Sequence, residues 1–216
     1  MGRRARIILE GTIAAAGFAS GDRFVVGLWD EGPLGAMADV MWAGRDGART
    51  LLAPSEPVAA FVGGVYDFDA VAVTPFEVHH SETSLALRAG PLELDLGAGP
   101  ARRLFALRPR FLRRSTTWVR VEDALLRPLV GGLVLRGAAG VRAYGRAPSG
   151  VREWYRIDSY RPVVRGAARL DGADLGPVGP LEPPARFGFS EFPRAPAFVR
   201  CSPVLEGAER FLPEGA

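Results

Sequence analysis

The chain has 216 residues, of which 27 are basic and 24 acidic, giving a formal net charge of +3; 48% are apolar. A globular chain of this size buries roughly 70% of its unfolded surface and needs no disulfide or metal staple. It contains no Lys, Asn or Gln, its histidines are His79 and His80, and its one cysteine is Cys201. These absences exclude a lysine Schiff base, a P-loop lysine, an Asn-linked glycan, a cysteine-rich zinc site and an intramolecular disulfide.

The N-terminus, Met1-Gly-Arg-Arg-Ala-Arg followed by Ile7-Ile-Leu-Glu-Gly-Thr-Ile-Ala, has the outline of a secretory signal. Glu10 breaks its apolar stretch, and a carboxylate is costly in a bilayer core. A strand fits better: Ile7, Leu9, Ile13 and Ala15 share one face. Strands are predicted over 6–18, 23–29, 37–43, 48–53, 71–79, 83–88 and 92–96. The last is clean, with Leu92, Leu94 and Leu96 opposite Glu93 and Asp95. Asp46-Gly47 and Asp171-Gly172 supply hairpin turns.

Ser55, Glu56 and Pro57 start a helix whose apolar residues are Val58, Ala59, Phe61, Val62 and Val65. A second helix is predicted from Thr116 and is ended by Pro128 and Gly131-Gly132; a short one fits 102–107. Strands return over 133–144, 151–160, 162–170, 184–190 and 196–204. No 18-residue apolar run is present, so no transmembrane helix is expected, and the cytoplasm is the expected location.

This pattern predicts an α+β fold, predominantly antiparallel β, as a curved sheet or partly closed β-barrel with two or three short helices. One domain is expected over 1–206, with 1–100 and 133–206 joined by a helical stretch 101–132 as the alternative. Residues 207–216 are expected to form a loose tail.

Charge is uneven. Residues 1–100 hold 7 Arg against 13 acids; residues 101–216 hold 20 Arg against 11. The densest basic stretch carries Arg102, Arg103, Arg108, Arg110, Arg113, Arg114 and Arg120, interleaved with Phe105, Phe111 and Trp118. It suits phosphate or an anionic surface, but no nucleic-acid-binding motif accompanies it.

The richest constellation lies on the strand 151–160. Its even positions hold Arg152, Trp154, Arg156, Asp158 and Tyr160, and the preceding strand offers Arg136, Arg142 and Tyr144. Rings can bury an apolar body while Arg holds a carboxylate or phosphate. Arg136, Arg142, Tyr144, Trp154, Arg156 and Tyr160 are therefore the candidate ligand-binding residues. The bland alternative is an outer sheet face with Arg stems laid over rings.

Acid–base candidates are Asp39, Glu77, His79 and Asp158. Glu77, His79, His80 and Glu82 place two possible ligands on each strand face, too few for zinc, so no metal is expected. Asp39 sits beside large apolar residues, which would raise its pKa if buried, but its parity differs from that of Trp42 and favours exposure. No G-x-S-x-G motif is present, and Cys201 reads as a small core residue. No cofactor is expected.

Two regions carry resemblances. The stretch Ala38-Asp-Val-Met-Trp-Ala-Gly-Arg-Asp-Gly-Ala-Arg-Thr-Leu-Leu-Ala-Pro, with Arg152-Glu-Trp-Tyr and Pro184-Ala-Arg-Phe-Gly-Phe-Ser-Glu-Phe-Pro-Arg, resembles proteins of high-GC actinobacteria to which no activity is attached. Ala101-Arg-Arg-Leu-Phe-Ala-Leu is similar to a segment of acetoacetate-decarboxylase-like β-barrel proteins. That family's chemistry needs a catalytic lysine, which this chain lacks, so the resemblance implies a fold and no activity.

The functional expectation is a non-catalytic binder of a small anionic, partly apolar ligand in a barrel cavity. One alternative is an enzyme of isomerase, cyclase or hydrolase type using carboxylates and histidine. The other is a scaffold that binds an anionic surface through residues 102–120. Nucleic acid is not favoured as a partner, and a homodimer is compatible with the sequence.

Overall fold

The computed structural model describes residues 5–102, 117, 119 and 141–214. In chain order the elements are β1 (Arg6–Ile8), β2 (Glu10–Phe18), β3 (Arg23–Glu31), β4 (Met37–Ala43), β5 (Arg49–Ala53), α1 (Glu56–Val65), β6 (Ala70–Val73) and β7 (Phe76–His80). They continue with β8 (Ser84–Ala89), β9 (Leu92–Ala98), β10 (Tyr144–Arg146), β11 (Arg152–Leu170), β12 (Ala173–Asp174), β13 (Val178–Gly179) and β14 (Ala197–Glu206).

Among the described residues one sheet joins fourteen strands, in the order β6-β5-β4-β3-β2-β14-β11-β9-β8-β7, with β1, β10, β12 and β13 as side branches. Each pairing among them is antiparallel except β5 with β6. The two edge strands, β6 and β7, are separated in sequence only by Thr74-Pro75. The sheet therefore curls into a half-barrel, the curved, mostly antiparallel α+β fold expected from the sequence.

The 19-residue β11 makes the curl possible. Its first half pairs with β14 and its second half with β9. Register shifts between Ile157 and Ser159, and between Val163 and Arg165, bend it from one half of the sheet to the other. Bulges do this by adding a residue to one strand, which increases local twist.

Both faces of the central strands are buried, which is why β2 and β3 read as near-continuous apolar runs. On one face Phe24, Val26, Leu28 and Val40 meet the inward leucines of the β8–β9 hairpin, Leu85, Leu87, Leu92, Leu94 and Leu96. Each such side chain contributes roughly 1.5–3 kcal/mol when fully buried. On the other face Ile13, Val25, Trp29 and Met37 lie under α1, which turns Val58, Phe61, Val62 and Val65 inward.

Several elements differ from the sequence reading. Residues 71–79 form two strands, because Pro75 cannot donate to a ladder. The expected break at Arg161-Pro162 is absent: β11 runs through, with Pro162 paired to Ala197. Residues 184–190 are a loop and not a strand. α1 runs through Gly63-Gly64 to Val65, and the Phe211 ring lies where a Cβ on Gly64 would stand. That contact and the buried Ala208 tie residues 207–211 to the fold. Among the described residues α1 is the one continuous α-helix. Thr117 and Val119 are helical as well. The other residues of the helix expected after Thr116, most of the short one expected near 102–107, and most of the strand 133–144 lie outside the described residues. No helix among the described residues is long and apolar enough to cross a membrane.

Candidate functional site

Between the sheet and α1 lies a cavity of about 70 Å³. Its floor is a checkerboard of two strands. Val25, Gly27 and Trp29 of β3 stand opposite Met41, Asp39 and Met37 of β4 in direct register. Phe61, Val62 and Val65 of α1 cover one side. Residues 181–192 close another with Leu181, Phe187, Phe189 and Phe192.

That closing segment is pinned at several points. Arg23, only 3% exposed, donates from its guanidinium to the carbonyls of Pro183, Ala43 and Gly44. The Phe187 carbonyl accepts the Asp67 N–H at 2.9 Å, and the Arg186 carbonyl accepts Arg49 Nη1 at 3.2 Å.

Asp39 is the acid on the cavity wall, and it is 1% exposed. Its Oδ1 accepts the Trp29 indole N–H at 3.0 Å. Gly27 makes this pairing possible: a Cβ there would lie 2.4 Å from Asp39 Oδ1 and 2.6 Å from Trp29 Nε1. Asp39 Oδ2 has no hydrogen-bond partner among the described residues. Burial pushes its carboxyl up to about 6, with the Trp29 bond opposing. The exposure favoured by parity against Trp42 is thereby corrected. Both faces of β4 are covered, so parity there does not separate inside from outside.

A second polar cluster stands at the end of α1. Tyr66 and Tyr155 line the cavity, and behind them Glu153 is fully buried. Tyr66 Oη and Tyr155 Oη each lie 2.9 Å from Glu153 Oε2 and 2.7 Å from one another. Three contacts join three oxygens, yet the hydroxyls own only two protons. A proton on Glu153 satisfies all three. Burial agrees with this count, pushing the Glu153 carboxyl up to about 7 while the tyrosine bonds oppose. Burial first, and the neighbouring Glu153 second, push both tyrosine hydroxyls well above their ordinary value.

The sequence-derived candidates are dispersed. Arg136 lies outside the described residues. Arg142 is exposed, and its backbone N–H donates to Ser190 Oγ. Tyr144 and Trp154 pack together with ring centroids 5.3 Å apart, beside Val204 and under the Arg6 guanidinium. Arg156 is half-buried and donates to the Ser202 carbonyl at 2.9 Å. Tyr160 is buried beneath Arg102. None of these five lines the cavity. Of the acid–base candidates, only Asp39 does. Glu77 and His79 are exposed on the edge strand β7, 3.6 Å apart, and Asp158 sits at the β11 bulge. Among the described residues no three His, Cys, Asp or Glu side chains are placed to hold a metal ion.

The sequence reading centred on the even face of β11, whereas the odd residue Tyr155 meets the cavity, with the odd Glu153 behind it. The odd positions hold Val151, Glu153, Tyr155 and Ile157 and the even ones Arg152, Trp154, Arg156 and Asp158. Glu153 and Trp154 are both buried, so alternation does not mark the cavity side. Tyr66 gave no signal either, since it is the first residue past a helix.

No protein-family model and no curated protein matches the sequence. Among solved structures, the chain is similar to an acetoacetate decarboxylase from Legionella pneumophila, at 7% identity and TM-score 0.41, covering 95% of this chain and 85% of that one. A second acetoacetate decarboxylase structure is similar at 10% identity and TM-score 0.40, covering 95% and 87%. At this level the likeness carries no statement about what this chain does.

Proposed function

We propose that this protein binds a small, largely apolar molecule in the cavity between the curled sheet and α1. The observation that carries this reading is the cavity's wall: apolar and aromatic side chains with a few polar groups, which is how small-molecule sites are built. At roughly 10–15 Å³ per water-sized group, the volume admits about five to seven such groups. The expected anionic character of the ligand has no support in this wall. Among its described residues there is no Arg, and its ionisable groups are Asp39, Tyr66 and Tyr155.

The test is native mass spectrometry of protein purified from its own host against the denatured mass. Thermal melts with 3-methyl-1-butanol, a probe of matching size, accompany it. A retained small mass, or a Tm raised by the alcohol and not raised in Val62→Trp, supports the reading. A bare mass with no shift in Tm sinks it.

A second reading, acid–base catalysis, is favoured by one observation. Two buried carboxyls with raised pKa values border one cavity, Asp39 on its β3–β4 floor and Glu153 behind the lining hydroxyls of Tyr66 and Tyr155. Proton transfer near neutral pH uses groups tuned in this way.

A further inference from the structure

The cavity combines three features that together specify a charge type. Its wall is rich in aromatic rings, among them Trp29, Phe61, Tyr66, Tyr155, Phe187 and Phe189. It holds a carboxyl that is 1% exposed and has one oxygen unpartnered among the described residues. It holds no basic side chain among its described residues. A buried carboxylate with a free oxygen is costly, because it has left water without a full replacement for its hydration. Aromatic faces carry negative quadrupole density and attract cations. An anion here would meet Asp39 and the ring faces, both unfavourable. A neutral ligand would leave the carboxylate without a counter-charge.

We propose that the ligand is a small organic ammonium ion, which donates an N–H to Oδ2 of Asp39 and rests its alkyl body among the rings. This rests on the small-molecule reading above and names its ligand class. A primary or secondary ammonium fits better than a quaternary one. Oδ2 of Asp39 is a hydrogen-bond acceptor, and a tetraalkylammonium has no N–H to offer it. Trp29 holds Oδ1, which fixes the carboxyl plane, and Oδ2 is the oxygen left without a hydrogen-bond partner among the described residues. The raised carboxyl of Asp39 is the state without ligand. A bound ammonium would return it toward the ordinary carboxylate range.

The experiment compares three probes of one shape by calorimetry: 3-methylbutylamine, 3-methyl-1-butanol and 3-methylbutanoate, at pH 7.5 with the full chain. The expected result is that the amine binds at least about tenfold more tightly than the alcohol, a gap of about 1.4 kcal/mol, and that the carboxylate does not bind. Asp39→Asn should remove the amine's advantage while alcohol binding persists. A second readout needs no variant. The Trp29 indole N–H resonance should move on adding amine and stay in place with carboxylate.

If the alcohol binds as well as the amine, or the carboxylate binds best, the ammonium inference is overturned and the cavity reading stands. Tetramethylammonium binding as tightly as the amine would overturn the hydrogen bond to Asp39. Binding by none of the probes would sink the inference and the cavity reading together.

Discussion

Replacing Glu153 by glutamine tests whether the buried acid holds its proton in the folded state. Glu153 rises from 4.5 in the free side chain to about 7 when folded. The folded protein therefore binds the proton more tightly than the unfolded chain. Below pH 4.5 both states are protonated and ionisation costs nothing. Between 4.5 and about 7 the unfolded chain ionises first, so stability falls as pH rises. At about 1.36 kcal/mol per pH unit, the loss is about 3 kcal/mol by about pH 8. A glutamine side chain cannot ionise, so Glu153→Gln removes this loss. The amide presents its N–H₂ at the Oε2 position, donates to both tyrosine hydroxyls and leaves its carbonyl in place of the unpartnered Oε1. Any remaining cost of the swap is the same at every pH.

The absolute stability of Glu153→Gln matters less than its gap from the parent. Urea unfolding at about pH 4.5, 6 and 8 should show the gap moving by about 3 kcal/mol in the variant's favour. A gap constant within about 1 kcal/mol would refute the protonated cluster. Asp39, raised from 3.8 to about 6, contributes a similar fall between those values, so the Glu153→Gln protein should keep part of its slope.

Gly27→Ala should separate Trp29 from Asp39, since the new methyl falls on their hydrogen bond. A loss of about 1–3 kcal/mol is expected from the overpacking, with a shift in tryptophan emission; an unchanged protein would mean Gly27 is not needed for the pairing. The Cys201 thiol is buried and pushed up to about 12, with burial as the main cause. Thiolate is the reactive form, so maleimide at about pH 8 should label it only as fast as the protein unfolds. Rapid labelling of folded protein would contradict its placement.

The positions of β2 to β5, β8, β9 and β14, the start of α1, the inward Leu92, Leu94 and Leu96, and the mainly antiparallel curvature were legible in the sequence. Each is set by short-range chemistry: alternation at period two, Pro57 in a first turn, Asp-Gly at hairpins. The excluded chemistries were legible too, because absent residue types need no structure to interpret. Tertiary structure alone decided which face of a strand became a cavity wall. Asp39, Tyr66 and the pair Glu153 and Tyr155 come from three separate parts of the chain and border one cavity only because β4, α1 and β11 converge. The bulge at Ile157 and Ser159 then changes the parity on which an even-face reading depends. Local patterning specifies that two faces differ. Which one encloses a cavity depends on the order in which fourteen strands pair, and that is fixed by burial summed over the whole sheet.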